Sequence, residues 1–110
     1  MSPPSDVGGT CLNRGCIPTK ALLHASEIYQ QARNALELGL DIQVGGYDMG
    51  RLHDRKEKVV LQLRGGVEQL LKANQVDLIR GEATIMAPHQ IAVAGSDCPS
   101  VTADHILIAT

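Results

Sequence analysis

The chain has no Phe and no Trp, and only Tyr29 and Tyr47 carry rings. Its core must come from Leu, Ile, Val and Ala, which can reach native packing density without aromatic help. Strong charge of either sign is missing too. Ten Lys and Arg stand against 12 Asp and Glu, interspersed, for a formal net charge of −2. That leaves no basic footprint for nucleic acid and no basic amphipathic helix for a membrane surface. No apolar run is long enough to cross a bilayer. The start, Met1-Ser2-Pro3-Pro4-Ser5-Asp6, has no charged leader followed by an apolar stretch, so it does not read as a secretory signal. The expectation is a soluble, cytoplasmic protein with no nucleic-acid or membrane partner. A length of 110 residues allows one domain with a modest core.

Cysteine is scarce as well. Three thiols are an odd number and too few to staple a secreted fold. Cys98 lies in Ser96-Asp97-Cys98-Pro99, which reads as a turn carrying a bystander thiol. The other two fall in Gly8-Gly9-Thr10-Cys11-Leu12-Asn13-Arg14-Gly15-Cys16-Ile17-Pro18-Thr19-Lys20, with four residues between them. Pro18 is expected at the first position of a helix, where its missing N–H costs nothing. Cys16 should then sit by the first free N–H groups, whose partial positive charge favours a thiolate. Cys11 must fold back to reach it, because a disulfide needs Cα atoms within about 7 Å. Gly8, Gly9 and Gly15 permit the distorted turn this requires.

Other readings of the pair compete. A metal site from Cys11, Cys16, His24 and Cys98 is one, but C-x₄-C lacks the usual zinc spacing. A static structural disulfide does not suit a reducing compartment. Two ordinary buried thiols would leave the glycines, Pro18 and Lys20 without a role. A redox-active dithiol, with no metal, accounts for the most residues. His24 reads as a packed helix residue, and His53, His89 and His105 form no constellation.

Around this segment the pattern is legible. Ile17, Ala21, Ala25, Ile28, Ala32 and Ala35 recur at helical spacing, predicting a helix over about 17–38 that stops at Gly39. A Gly-rich connection leads to a second helix over about 48–73, with Leu52, Val59, Leu63, Val67, Leu70 and Leu71 on one face. Arg55, Lys56, Glu57 and Lys58 are its wet side. Gly65-Gly66 interrupts it, as a kink or as a point of close approach to a neighbour. The stretch 76–110 turns to β-type pieces: 76–79, 83–86, a Pro88-His89 turn, 90–94 and 101–103. The last run, His105-Ile106-Leu107-Ile108-Ala109-Thr110, reads as a strand buried on both faces, as in a parallel sheet. Its uncovered edge suggests self-association.

The segment from Gly8 to His24 resembles the active-site stretch of the flavin-dependent pyridine nucleotide–disulfide oxidoreductases. Val76-Asp77-Leu78-Ile79-Arg80-Gly81-Glu82-Ala83 is similar to the family strand that ends at the FAD adenine. Ile106-Leu107-Ile108-Ala109-Thr110 is similar to the strand before the family's Ala-Thr-Gly turn. The resemblance runs from Val7 nearly to the end. Leu12 and Ile17 point to the branch that oxidises dihydrolipoamide, because glutathione- and mercuric-reductase branches usually carry Val there. It implies an α/β fold, two helices followed by short β-strands, as a partial FAD-binding, Rossmann-like domain spanning 1–110.

The same resemblance implies roles. Cys11 is the interchange thiol and Cys16 the flavin-proximal thiol. Gly9, Thr10, Lys20, Gly81, Ala83, Ala109 and Thr110 approach the FAD. NAD is the co-substrate and a lipoyl-bearing protein the partner. The family holds FAD through a Gly-x-Gly-x-x-Gly loop at a helix start. No such sequence occurs here, and ten residues precede Cys11. The expectation is an interior slice lacking the first βαβ unit, catalytically silent and without bound FAD when isolated.

Overall fold

The computed structural model describes residues 6–109, which fall into two compact units, Asp6–Leu70 and 71–109. Thr110, expected at the cofactor, lies outside the described residues.

In the first unit a short helix α1, Gly9–Asn13, runs into α2, Cys16–Arg33. The spacing predicts helix from residue 17, with Pro18 first. The observed start is Cys16, so Pro18 is third, still inside the first turn where no intrahelical donor is lost. The helical path does reach Leu38, but not as one helix. At Asn34 it tightens into a 3₁₀ turn, Ala35–Leu38, which closes on Gly39 at φ +78°. There the Gly39 amide bonds the Leu36 carbonyl at 2.9 Å and the Leu40 amide bonds the Ala35 carbonyl at 3.1 Å.

Helix α3, Met49–Ala73, begins at Asp48, whose carboxylate accepts from the Arg51 amide at 3.1 Å. Such a cap is worth about 1 kcal/mol. The expected interruption at Gly65-Gly66 does not occur, and a Cβ at either would meet nothing within 4 Å. No neighbour approaches either glycine closely, and the helix continues through both. Each Gly costs about 1 kcal/mol of helix propensity relative to Ala. Two further residues depart from the expected faces. Val60, outside the six apolar positions, is the buried one at 2 % exposure. Lys56, expected on the wet side, keeps only 18 % of its side chain exposed, because a lysine stem packs along apolar surface. Tyr29 and Tyr47 meet edge to face, 6.1 Å apart at 84°, pinning the connection to α2.

In the second unit α3 ends on Gln75 in the left-handed conformation, φ +57°. The Val76 amide reaches the Leu71 carbonyl at 2.9 Å and the Gln75 amide the Lys72 carbonyl at 3.1 Å, a Schellman closure. Three antiparallel strands follow in spatial order β1-β2-β3: β1 Glu82–Ala87, β2 Gln90–Ala94 and β3 Ser100–Thr102. Ala83 pairs with Val93 and Ile91 with Val101. The β1–β2 turn falls on Pro88-His89 as expected, and the His89 ring nitrogen Nδ1 lies 3.0 Å from the Ala103 carbonyl. Val93, at 7 % exposure, is the buried residue of this unit.

Two expected strands are corrected. Neither 76–79 nor 105–109 joins a ladder, and neither has regular secondary structure. Leu107 is 91 % and Ile108 70 % exposed. A strand needs a neighbour for its N–H and C=O groups, and a doubly buried one needs cover on both faces. Among the described residues no strand lies beside either. The mixed α/β architecture, long helices followed by short strands, agrees with a partial FAD-binding, Rossmann-like domain.

The candidate redox centre

The paired thiols owe their proximity to backbone geometry at two glycines. Gly8 caps α1 at φ +96°, and a Cβ there would lie 2.6 Å from Leu12 Cδ1. Any side chain would strain the backbone and strike the first turn. At the other end the Thr10 carbonyl accepts from both Arg14 (2.9 Å) and Gly15 (2.8 Å), turning the chain sharply into α2. A Cβ on Gly15 would sit 3.2 Å from that carbonyl and 3.4 Å from Cys11 Cα. Between the thiols, Leu12 and Asn13 finish α1, and Arg14 (φ −139°, ψ −10°) and Gly15 (φ −114°, ψ −105°) form the distorted turn that leads into α2. Cys16 begins α2 as its first residue.

Both thiols are free and exposed. A side-chain hydrogen bond with Cys16 is the main cause raising the Cys11 thiol above its usual range. Partial loss of solvent and the Cys16 charge act in the same direction; the Cys16 backbone and the Lys20 ammonium oppose them more weakly.

A polar clasp that sequence reasoning missed encloses α1. Asn13 Nδ2 donates to the carbonyls of Val7 (3.0 Å) and Gly9 (2.9 Å). Its Oδ1 accepts from both Nε (3.0 Å) and Nη2 (2.7 Å) of Arg64 on α3. Arg64 Nη2 also pairs with Asp6 Oδ2 at 3.1 Å. Asn13 lies in the cysteine motif, but its partner is 51 residues away, and no local spacing signals that pairing.

The other expected site residues divide between the units. Gly9, Thr10, Cys16 and Lys20 are all exposed in the first unit, with Lys20 one helical turn beyond Cys16. Gly81, Ala83 and Ala109 belong to the second unit and are exposed. Gly81 does permit a close approach, but to β2: a Cβ there would lie 2.5 Å from the Ala94 carbonyl. His24 is exposed rather than packed. Among the described residues no three His, Cys, Asp or Glu side chains gather into a metal-holding group. No described helix is long and apolar enough to cross a membrane.

The chain resembles catalogued enzymes over nearly its whole length. It is 40 % identical over 106 residues to the dihydrolipoyl dehydrogenase of Geobacillus stearothermophilus, which covers 96 % of this chain and 23 % of that protein. It is 41 % identical over 108 residues to the Pseudomonas aeruginosa enzyme, with 94 % and 23 % covered. For that of Haloferax volcanii the identity is 42 % over 107 residues, with 94 % and 22 % covered. The chain thus spans less than a quarter of the length of these relatives. Residues 5–110 also match the family described as pyridine nucleotide-disulphide oxidoreductase. With its paired thiols held at the start of a helix, the chain belongs to the pyridine nucleotide-disulphide oxidoreductase family.

Proposed function

We propose that this chain carries the redox-active dithiol of an FAD-dependent dihydrolipoyl dehydrogenase, with Cys11 as the interchange thiol and Cys16 as the flavin-side thiol. The observation that carries the reading is the placement of Cys11 on α1 and of Cys16 at the first position of α2, together with relatives named dihydrolipoyl dehydrogenase.

The chemistry is thiol–disulfide exchange. With the pair oxidised, one thiolate of a dihydrolipoyl group attacks the Cys11 sulfur. The Cys11–Cys16 bond breaks, and Cys16 leaves as a thiolate. The second substrate thiol then attacks its own sulfur in the mixed disulfide. A lipoyl disulfide closes and Cys11 is released. The substrate loses two electrons and two protons. The electrons rest on the thiol pair, and the protons that the pair does not hold go to solvent. Bound FAD would supply the acceptor that relays the electron pair to NAD.

Residue roles follow from position. The α2 amino terminus favours negative charge on Cys16, the leaving thiolate. A hydrogen bond with Cys16 raises the Cys11 thiol above its usual range. Lys20 places a positive charge one turn along the same face. Gly9 and Thr10 offer backbone to the cofactor at the open side of α1. A reducing cytoplasmic compartment suits a pair that must cycle, and a lipoyl-bearing protein is the matching partner.

The test exchanges residues 5–110 into a complete dihydrolipoyl dehydrogenase in place of its own segment. NADH-dependent lipoamide reduction is expected, and loss of it on Cys11→Ser or Cys16→Ser. An exchanged enzyme that reduced glutathione disulfide and ignored lipoamide would place the chain in another branch.

A further inference from the structure

We infer that Arg64 is a positioning residue for the Cys11–Cys16 pair: by gripping Asn13 it fixes the short helix that presents Cys11 to Cys16. The inference rests on the redox reading of that pair.

Helix α1 has five residues, too few to stand on its own hydrogen bonds. Its bracing comes from outside. Asn13 spends its amide N–H groups on Val7 and Gly9, tying the end of α1 to its own beginning. The remaining Asn13 oxygen is held by two nitrogens of one guanidinium. That fork fixes direction as well as distance, which a lysine ammonium cannot do. Asp6 holds the same guanidinium from the chain just before α1, and both side chains are largely shielded, at 24 % and 20 % exposure. A closed loop therefore runs Asp6–Arg64–Asn13–Val7, with Cys11 inside it. From α3 the brace comes through one side chain, Arg64, with Asp6 holding its other edge.

Holding Cys11 against Cys16 raises the effective concentration of one thiol at the other. Glutathione disulfide reads this out. One thiolate of the pair displaces a glutathione thiolate, and the second thiol displaces the other. The pair loses two electrons and two protons, and two glutathione thiols form.

The experiment uses the full chain in a Cys98→Ser background, equilibrated anaerobically in glutathione buffers, acid-quenched, alkylated and weighed by mass spectrometry. Arg64→Met should lower the equilibrium constant for the Cys11–Cys16 disulfide about tenfold, the scale of a charge-assisted hydrogen-bond pair, or about 30 mV in potential. Arg64→Lys keeps the charge and loses the fork, and should show most of the same loss. Should Arg64→Met fail to fold by circular dichroism, Arg64→Lys decides the matter. Asn13→Ala should match Arg64→Met, with no further loss in the double variant. Val60→Ala loosens α3 at its buried position and should leave the constant unchanged. Wild-type constants in both Arg64 variants, or an equal loss in Val60→Ala, would overturn the inference and leave the redox reading standing. A wild-type chain that forms no Cys11–Cys16 disulfide in any buffer would overturn both.

Discussion

The Gly15 amide donates to the Thr10 carbonyl at 2.8 Å, and this bond turns the end of α1 into the start of α2. A Cβ on Gly15 would approach that same carbonyl to 3.2 Å. The obstacle is backbone, which cannot swing aside as a side chain can. Gly15→Ala should therefore cost about 1 kcal/mol or more and open the Cys11–Cys16 approach. Urea unfolding measures the first effect, and disulfide yield in glutathione buffer the second.

Gly8 and Gly9 both have positive φ, but only Gly8 lacks room for a side chain. A Cβ on Gly8 would lie 2.6 Å from Leu12 Cδ1, whereas one on Gly9 would meet nothing within 4 Å. Gly9→Ala should cost only the left-handed strain, about 1 kcal/mol. Gly8→Ala should cost about 2–3 kcal/mol, strain plus overpacking. Paired denaturant melts check the order, and equal costs would contradict the Leu12 contact.

The Cys11 thiol is raised by its hydrogen bond with Cys16. Its alkylation by iodoacetamide should therefore climb at higher pH than that of an ordinary exposed thiol. Cys16→Ala should return the profile to the ordinary range. The linked stability has a fixed sign: a raised thiol favours the protonated folded state. The contribution is whole below the unfolded-state pKa and disappears as pH climbs through the folded one. Stability measured across the alkaline range, in wild type and in Cys16→Ala, shows the difference.

Gln75 closes α3 at φ +57°, a conformation natural to glycine and costly for a long side chain. Gln75→Gly keeps both closing hydrogen bonds and should stabilise the 71–109 unit by about 0.5–1 kcal/mol. Hydrogen exchange at the Val76 amide gives a local measure, and slower exchange is expected.

Gly81 faces β2 so closely that a Cβ would lie 2.5 Å from the Ala94 carbonyl and 2.7 Å from Val93 Cγ1. Gly81→Ala should strip about 2 kcal/mol or more from this unit. Proton chemical shifts of the Glu82–Ala94 and Ala83–Val93 pairs should move first, being the end of the β1–β2 ladder.

Periodicity located both long helices because their apolar stripes repeat at a spacing that only a helix makes continuous. It failed at Val60 and Lys56, where burial depends on which neighbour arrives rather than on the stripe. The hairpin at Pro88-His89 was legible because turn chemistry is local. The runs 76–79 and 105–109 have strand composition, yet pairing is a property of two segments and composition belongs to one.

The sequence by itself determined the chemistry of this protein: two thiols at fixed spacing, glycines that allow a tight approach, and a helix start beneath Cys16. Those are local matters of backbone sterics and thiol reactivity. Only the tertiary structure decided that Arg64 reaches Asn13 and Asp6, that Gly81 meets β2, and that residues 105–109 find no strand partner among the described residues. Each depends on segments distant in the chain meeting in space, which residue type and spacing do not encode.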